Sequence, residues 1–345
     1  MQHTVRWRWR PIGLIAALLL ASTLALAGCG SIAPASSAPL HPIPVRVQLN
    51  WAHVVDWGAF YIADADGDYA GQGLALTLLV GRDDAQGRYI DPLTAVLEGR
   101  ADFGITTGSD LLQARARGAP LVAVATIYQR HPLAFTSLAE KRIIRPQDLV
   151  GKTAQISPGS MPLFQALLAE QGIDPARVKT VERTDVTIAP LTKGEADVID
   201  AWVTHEVVTL RQAGHAIDTI LPIDYGIEEY PNVIFTTEKM IADRPDLIER
   251  FLRATLRGMQ GMIDNPKRVP LLAKQSDPTL DPAQLSEATF QALPFLHPPG
   301  SRPGMMTGRT WESTQRILHD QGVVRQPLDV TKAYTLAFLE KIYAK

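Results

Sequence analysis

The chain has 345 residues, 46% of them hydrophobic and 20% charged, with 25 glycines, 25 prolines and a single cysteine. That apolar content excludes a disordered chain, the lack of a glycine period excludes a collagen-like one, and the length suggests about two domains with buried cores. One cysteine excludes an intrachain disulfide, and a net charge of −2 argues against a nucleic-acid partner, which requires a basic face.

The first segment reads as an address. Arg6, Arg8 and Arg10 precede an uncharged run over residues 11–27, which ends in Leu26-Ala27-Gly28-Cys29. A basic start, a short apolar stretch and small residues at a cleavage point predict a secretory signal peptide over residues 1–28. Pro11, Gly13 and the short length argue against a membrane span, which needs about 20 apolar residues. The tetrapeptide resembles a bacterial lipobox, in which the cysteine after the cut is acylated with a chain such as palmitate. Cys29 is thereby expected to anchor the mature protein outside the cytoplasm on the cell membrane. Cleavage removes three arginines and no acidic residue, moving the net charge from −2 to −5. Residues 30–44 hold four prolines and three serines without hydrophobic period, so residues 29–44 are expected to form the lipidated cysteine and its tether.

From residue 45 onward short apolar runs alternate with helix-length segments. Strands are predicted over 45–49, 74–80, 102–105 and 121–128, with helices over 57–69 and 91–99 and one ended by Gly118. The pattern restarts with strands over 153–156, 179–182, 197–202 and 216–221. Helices are predicted over 160–171, 188–194 and 204–213, and one more strand over 233–237. After Glu238 only helical patterns remain, over 245–263, 282–293, 309–321 and 333–343. Such alternation predicts an α/β fold of two lobes with largely parallel sheets, a cleft between them and a helical tail.

No enzymatic constellation stands out. His205-Glu206 lacks the second histidine of a zincin helix, and the chain has no G-x-S-x-G elbow, Walker A loop or G-x-G-x-x-G turn. The histidines lack metal-ligand spacing. The chain is therefore read as a binding protein with no catalytic residue, metal or cofactor of its own.

Recognition chemistry gathers where predicted strands end. Residues 50–61 (NWAHVVDWGAFY) come directly after the first strand, and ligands of open α/β sheets collect beyond the carboxyl ends of strands. Trp51 and Trp57 offer faces for a flat ring, Asp56 or His53 a hydrogen bond to its edge, and Tyr61 a further contact. The competing reading places Trp57 and Phe60 in a helix core. Thr106, Thr107 and Ser109 lie between a strand and a helix, and so do Ser157 and Ser160; N-capping explains Ser109 and Ser160 equally well. Asp200, Trp202 and Glu206 close another strand, and Asp224 and Tyr225 flank the return to the first lobe; surface solvation is the competing reading for Asp224 and Glu206.

From residue 45 to about 264 the chain resembles the periplasmic solute-binding proteins of ABC importers in the thiamine-pyrimidine-precursor family. The resembling stretches include LNW (49–51), GDYAGQGL (67–74), GRADFG (99–104), QARARG (113–118), IYQRHP (127–132) and PQDLVGK (146–152). THE (204–206), DYG (224–226) and IFTT (234–237) complete the series in the family's order. The resemblance implies a two-lobe periplasmic-binding-protein fold with two crossovers, near Thr136 and Tyr230, and a helical C-terminal tail. Lobe 1 is expected over residues 45–136 plus 231–345, and lobe 2 over 137–230. Where pyrimidine-precursor binders carry an Asn and a His-Ala-Gly run, this chain reads His53-Val54-Val55-Asp56-Trp57-Gly58, with an extra indole. The pattern is more similar to the riboflavin-binding lipoproteins of the family. Trp51, Trp57, Tyr61, Tyr128, Trp202 and Tyr225 are the rings that would sandwich a tricyclic ligand, and no basic phosphate cradle is visible. The partners so implied are a small heteroaromatic vitamin, an ABC permease subunit and a membrane reached through the lipid. The alternatives are a binding protein for a thiamine pyrimidine precursor or a pyrimidine synthase-like enzyme. The latter relies on a cysteine-rich motif, whereas this chain's single cysteine is Cys29.

Overall fold

A computed structural model describes residues 41–83, 88–184 and 186–344. The signal peptide, Cys29 and the tether up to residue 40 lie outside the described residues. β1 (Ile43–Gln48) begins two residues before the predicted strand, so Ile43 and Pro44 belong to the sheet rather than to a tether. The helix predicted over 57–69 is instead a 3-10 turn at Val55–Trp57, then α1 (Gly58–Ala65) and α2 (Asp68–Gly71). Gly67 breaks it with a φ of 72°, in the left-handed region that a glycine enters without a Cβ penalty. β2 (Leu74–Leu79) leads to a two-residue hairpin, β3 (Arg82–Asp83) and β4 (Arg88–Tyr89). In α3 (Pro92–Leu97) the Asp91 carboxylate caps the helix by accepting from Leu93 and Thr94 N–H. β5 (Phe103–Thr106), α4 (Gly108–Ala116) and β6 (Leu121–Thr126) complete this stretch. The cap of α4 is Thr107 rather than Ser109, its hydroxyl accepting from Asp110 N–H at 3.0 Å.

The chain then crosses to a second sheet. β7 (Leu133–Leu138) had no counterpart among the predicted strands, and Thr136 lies in its middle, so the first crossover is the segment 127–132. Next come β8 (Thr153–Ile156), α5 (Met161–Glu170), β9 (Lys179–Glu182), α6 (Ala189–Thr192), β10 (Val198–Trp202), α7 (Glu206–Gln212) and β11 (Ile217–Ile220). A second crossover through Tyr230 returns to β12 (Val233–Thr237) in the first sheet.

The first sheet has the order β2-β1-β5-β12-β6 and the second the order β11-β7-β10-β8-β9. Both are mixed rather than largely parallel. β12 runs antiparallel to β5 and β6, and β7 runs antiparallel to β10 and β11, because each is the strand by which the chain enters the sheet from the other lobe. The remaining pairs, such as β1 with β2 and β8 with β9, are parallel.

The tail consists of α8 (Glu238–Asp243), α9 (Pro245–Asp264), α10 (Val269–Ser276), α11 (Pro282–Leu296), α12 (Gly308–Asp320) and α13 (Ala337–Tyr343). α9 buries one stripe, with Phe251 stacked on Phe103 of β5 at 4.0 Å between ring centroids. It lies close against α1, since a Cβ on Gly258 would meet the Ala59 carbonyl oxygen at 1.9 Å. α12 touches both halves: Trp311 packs in the core of the first lobe and Ile317 in that of the second. This is the periplasmic-binding-protein fold, with two α/β lobes, two crossovers and a helical C-terminal tail.

Candidate functional site

Beyond the strand ends of the two sheets lies a cavity of about 500 Å³, within the range of small-molecule sites. The first lobe contributes Asn50, Trp51, Val54, Asp56 and Trp57, and the second Ser157, Ser160, Arg183, Val186, Asp200, Trp202, His205 and Glu206. Asn232, from the second crossover, joins them.

On the first-lobe side a hydrogen-bonded chain runs through the cavity wall. Asn50 Nδ2 donates to Asn232 Oδ1 at 3.2 Å, Asn232 Nδ2 to Asp56 Oδ2 at 3.4 Å, and the Tyr128 hydroxyl to Asp56 Oδ1 at 2.7 Å. Burial pushes the Asp56 carboxyl up from its ordinary range, opposed chiefly by the Tyr128 hydrogen bond. The same burial raises the Tyr128 phenol well above its ordinary value, so Tyr128 stays a donor. Trp57 is 1% exposed, its indole N–H held by the Ala52 carbonyl at 2.9 Å, and it forms part of the first lobe's core as well as the cavity floor. Trp51 is half-buried, with the Arg82 guanidinium 4.9 Å from its ring centroid.

The second-lobe wall is ionic. The Arg183 side chain is 4% exposed and lies 3.3 Å from Asp200 Oδ1 and 3.9 Å from Glu206 Oε1. It also donates to the carbonyls of Asp200 and Thr187. A buried cation is tolerated only when paired and hydrogen-bonded. Asp200 in turn accepts from Ser157 N–H at 3.0 Å and Ser157 Oγ at 2.5 Å, and Glu206 accepts from Trp202 N–H at 2.9 Å. The Trp202 ring is half-buried and tilts against His131, 5.5 Å away. His131 accepts from Leu133 N–H, and burial lowers its pKa to about 3.

Of the residues named from sequence, Trp51, Asp56, Trp57, Ser157, Ser160, Asp200, Trp202 and Glu206 meet at this cavity. Tyr128 is fully buried and acts on the wall through Asp56 rather than as a stacking face. His53 and Tyr61 are turned away from the cavity: they join each other at 2.9 Å in a groove with Leu76, Leu78 and Leu272. Thr106, Thr107 and Ser109 are displaced from it by the second crossover, which docks on that loop. Gly108 N–H donates to the Tyr230 carbonyl at 2.7 Å and Ser109 N–H to Glu229 Oε1 at 3.1 Å. Tyr225 packs against the second lobe's core.

Arg183 and Asn232 carry no sequence motif that marks them, and Asn50 lies inside the 50–61 segment without being among the contacts expected there. Arg183 comes after β9 as Trp51 comes after β1, so the strand-end rule identifies it once applied to that strand too. A more open depression of about 760 Å³ crosses the outside of the crossovers. Its arginines are engaged: Arg130 with Asp224 at 2.8 Å, Arg309 with Glu228 at 2.9 Å, and Arg302 over the Tyr343 ring.

The chain is 28% identical over 327 residues to the riboflavin-binding protein RibY of Chloroflexus aurantiacus, covering 91% of each. It is 27% identical over 327 residues to the formylaminopyrimidine-binding protein of Halalkalibacterium halodurans, covering 92% of this chain and 96% of that one. A 4-amino-5-hydroxymethyl-2-methylpyrimidine phosphate synthase of Legionella pneumophila is 26% identical over 305 residues, covering 86% of this chain and 92% of the synthase. In fold it is similar to a sulfonate-binding protein SsuA structure from Methylobacillus flagellatus, with a TM-score of 0.68 at 15% identity, covering 88% of this chain and 95% of that one. The NMT1/THI5-like family profile matches residues 55–269, well over half of the sequence, and the chain belongs to that family.

Proposed function

We propose that this protein is the solute-binding component of an ABC-type importer and captures riboflavin between its two lobes. The observation that carries the reading is the pair of indoles, Trp51 and Trp202, on opposite walls of one cavity whose volume suits three fused rings. Asn50, Asn232 and Asp56 supply donors and an acceptor for the polar edge of such a ring. The similarity to the protein named for riboflavin binding supports the same ligand. A ligand that touches both walls shifts the equilibrium toward the closed form by its differential affinity for the two states, and the two crossovers are the segments about which the lobes turn. In this reading the domain works outside the cytoplasm, held to the membrane by a lipid on Cys29, and hands its ligand to a permease.

Stacking against an indole quenches flavin emission, so a riboflavin titration monitored by fluorescence tests the ligand. Quenching that saturates at micromolar protein is expected; an unchanged signal with no heat in calorimetry overturns the flavin reading.

One observation favours a second reading. A buried carboxyl beside an amide, Asp56 with Asn232, also matches the ring nitrogen and amino group of an aminopyrimidine, so the aminopyrimidine precursor and thiamine are titrated in parallel. Incubation with pyridoxal phosphate, monitored for a Schiff-base absorbance, tests for a synthase. Cys29→Ala is expected to release the protein from membranes with ligand affinity unchanged.

A further inference from the structure

The backbone and charged groups at the second-lobe wall are those with which a protein holds a phosphate: N–H groups at strand ends, the start of a helix, and an arginine. Here most of them are already occupied. Ser157 N–H, beyond β8, is taken by Asp200, and Trp202 N–H, at the end of β10, by Glu206. At the start of α5, Pro158 and Pro162 carry no N–H, and the Ser160 and Met161 N–H groups return to the Ser157 carbonyl at 3.1 and 3.0 Å. The two terminal nitrogens of the Arg183 guanidinium are shared between the two carboxylates and two carbonyls, while its Nε is enclosed, with less than 1 Å² exposed, and has no hydrogen-bond partner among the described residues. His205, the other basic side chain on the wall, faces the buried Asp56. Among the described residues the lining therefore sets three carboxyl groups against one arginine, whose two terminal nitrogens are already engaged.

We infer that this cavity admits the unphosphorylated form of its ligand and rejects the phosphorylated form, with Asp200 and Glu206 as the specificity-determining residues and Arg183 as the residue that positions them. A phosphate brought here would meet two carboxylates at short range and would have to break the Arg183 pairs to gain a cation. Like charges so placed repel through a partly desolvated wall, and the repulsion weakens as salt screens its exposed part.

The choice of probe rests on the flavin reading. Riboflavin and its 5′-phosphate ester are titrated against the same protein at low ionic strength and again at about 0.5 M sodium chloride. The ester is expected to bind at least about tenfold more weakly at low salt, with the gap narrowing at high salt. Asp200→Asn and Glu206→Gln, checked for an intact melting transition, are each expected to narrow it as well. Should either variant fail to fold, the salt comparison on the unaltered protein decides. An ester that binds within about threefold of riboflavin overturns the inference, and so does a gap that neither salt nor the variants change, since rejection is then by shape.

A separate arm needs no vitamin. Inorganic phosphate at millimolar concentration is expected to raise the melting temperature no more than chloride at matched ionic strength, and a larger rise overturns the inference. If riboflavin fails to bind while phosphate still gives no such rise, the flavin reading falls and the rejection of phosphate stands.

Discussion

The two lobes repeat one plan with different chemistry. Read outward from its second strand, each sheet runs second, first, third, an inserted antiparallel strand, fourth: β2-β1-β5-β12-β6 and β9-β8-β10-β7-β11. In each, the inserted strand comes from the crossover, so each sheet is completed by a strand the other half delivers. The first lobe lines the cavity with indoles and amides backed by a deep aromatic core. In that core Phe251 stacks on Phe103 and lies against Tyr69 and Phe60. The second lobe lines it with one indole, Trp202, and an ion network around Arg183. The lesson is that the scaffold determines where a site forms, while the residues just beyond each strand end determine whether that wall stacks or repels.

The sharpest way to break the contrast is to remove the cation. Arg183→Met leaves Asp200 and Glu206 without their partner, and a loss of about 3–5 kcal/mol is expected in urea unfolding. A loss below about 1 kcal/mol would show that the ionic wall is as replaceable as an exposed pair. In the first lobe the corresponding weak point is a helix contact. Gly258→Ala drives a Cβ onto the Ala59 carbonyl and is expected to cost about 3 kcal/mol, read as a lowered Tm. Gly159→Ala, beside the second-lobe wall, meets no heavy atom within 4 Å and is expected to cost less than about 0.5 kcal/mol.

The crossovers that join the lobes differ in the sign of their pH response. In the second crossover, burial pushes Glu229 up from 4.5 to about 7, so its folded form binds a proton more tightly than its unfolded form. Its contribution is fully present at low pH and is lost as pH rises from 4.5 toward 7. In the first, His131 is lowered from 6.5 to about 3, so its contribution is lost as pH falls below 6.5. The two slopes oppose each other in mildly acidic solution. Glu229→Gln removes the falling slope, and the gain in stability between about pH 5 and pH 7 is expected to exceed that of the unaltered protein by roughly 2 kcal/mol. Equal pH profiles for the two would place Glu229 outside the hinge's titration.

The last comparison separates binding from folding. Trp51→Ala is expected to weaken riboflavin binding by about 1–2 kcal/mol while Tm moves little, because Trp51 is half-buried at the cavity. A fallen Tm with unchanged affinity would return Trp51 to the core, where Trp57 already sits.

Much of the fold was legible because its signals are local. The alternating run of β1 and the short apolar runs of β8 and β10 stood out from helical segments by period alone. β7 was not legible, since its sequence, LAFTSL, comes soon after another apolar run, past a short polar break, and carries no turn signal of its own. The same division holds at the site. Trp51, Ser157, Asp200 and Trp202 stand out as polar or aromatic residues at the carboxyl ends of strands. Thr106, Thr107 and Ser109 meet that criterion equally well and yet lie elsewhere, because the second crossover covers their loop. Arg183 comes after a short strand whose four residues are all exposed, where an arginine reads as one more solvated charge.

Sequence alone therefore determined most of the strands and helices, their order along the chain, and the kind of residue waiting at most strand ends. Those are properties of neighbours within a few positions, where hydrophobic period and capping act. The insertion of β7 and β12, the chain from Asn50 through Asn232 to Asp56, and the enclosure of Arg183 by Asp200 and Glu206 were decided only by the tertiary structure. Asn232 reaches Asp56 across 176 positions, and Arg183 is burdened or relieved by charges that the fold alone brings within 4 Å. Desolvation and pairing depend on distance in space, which no local pattern encodes.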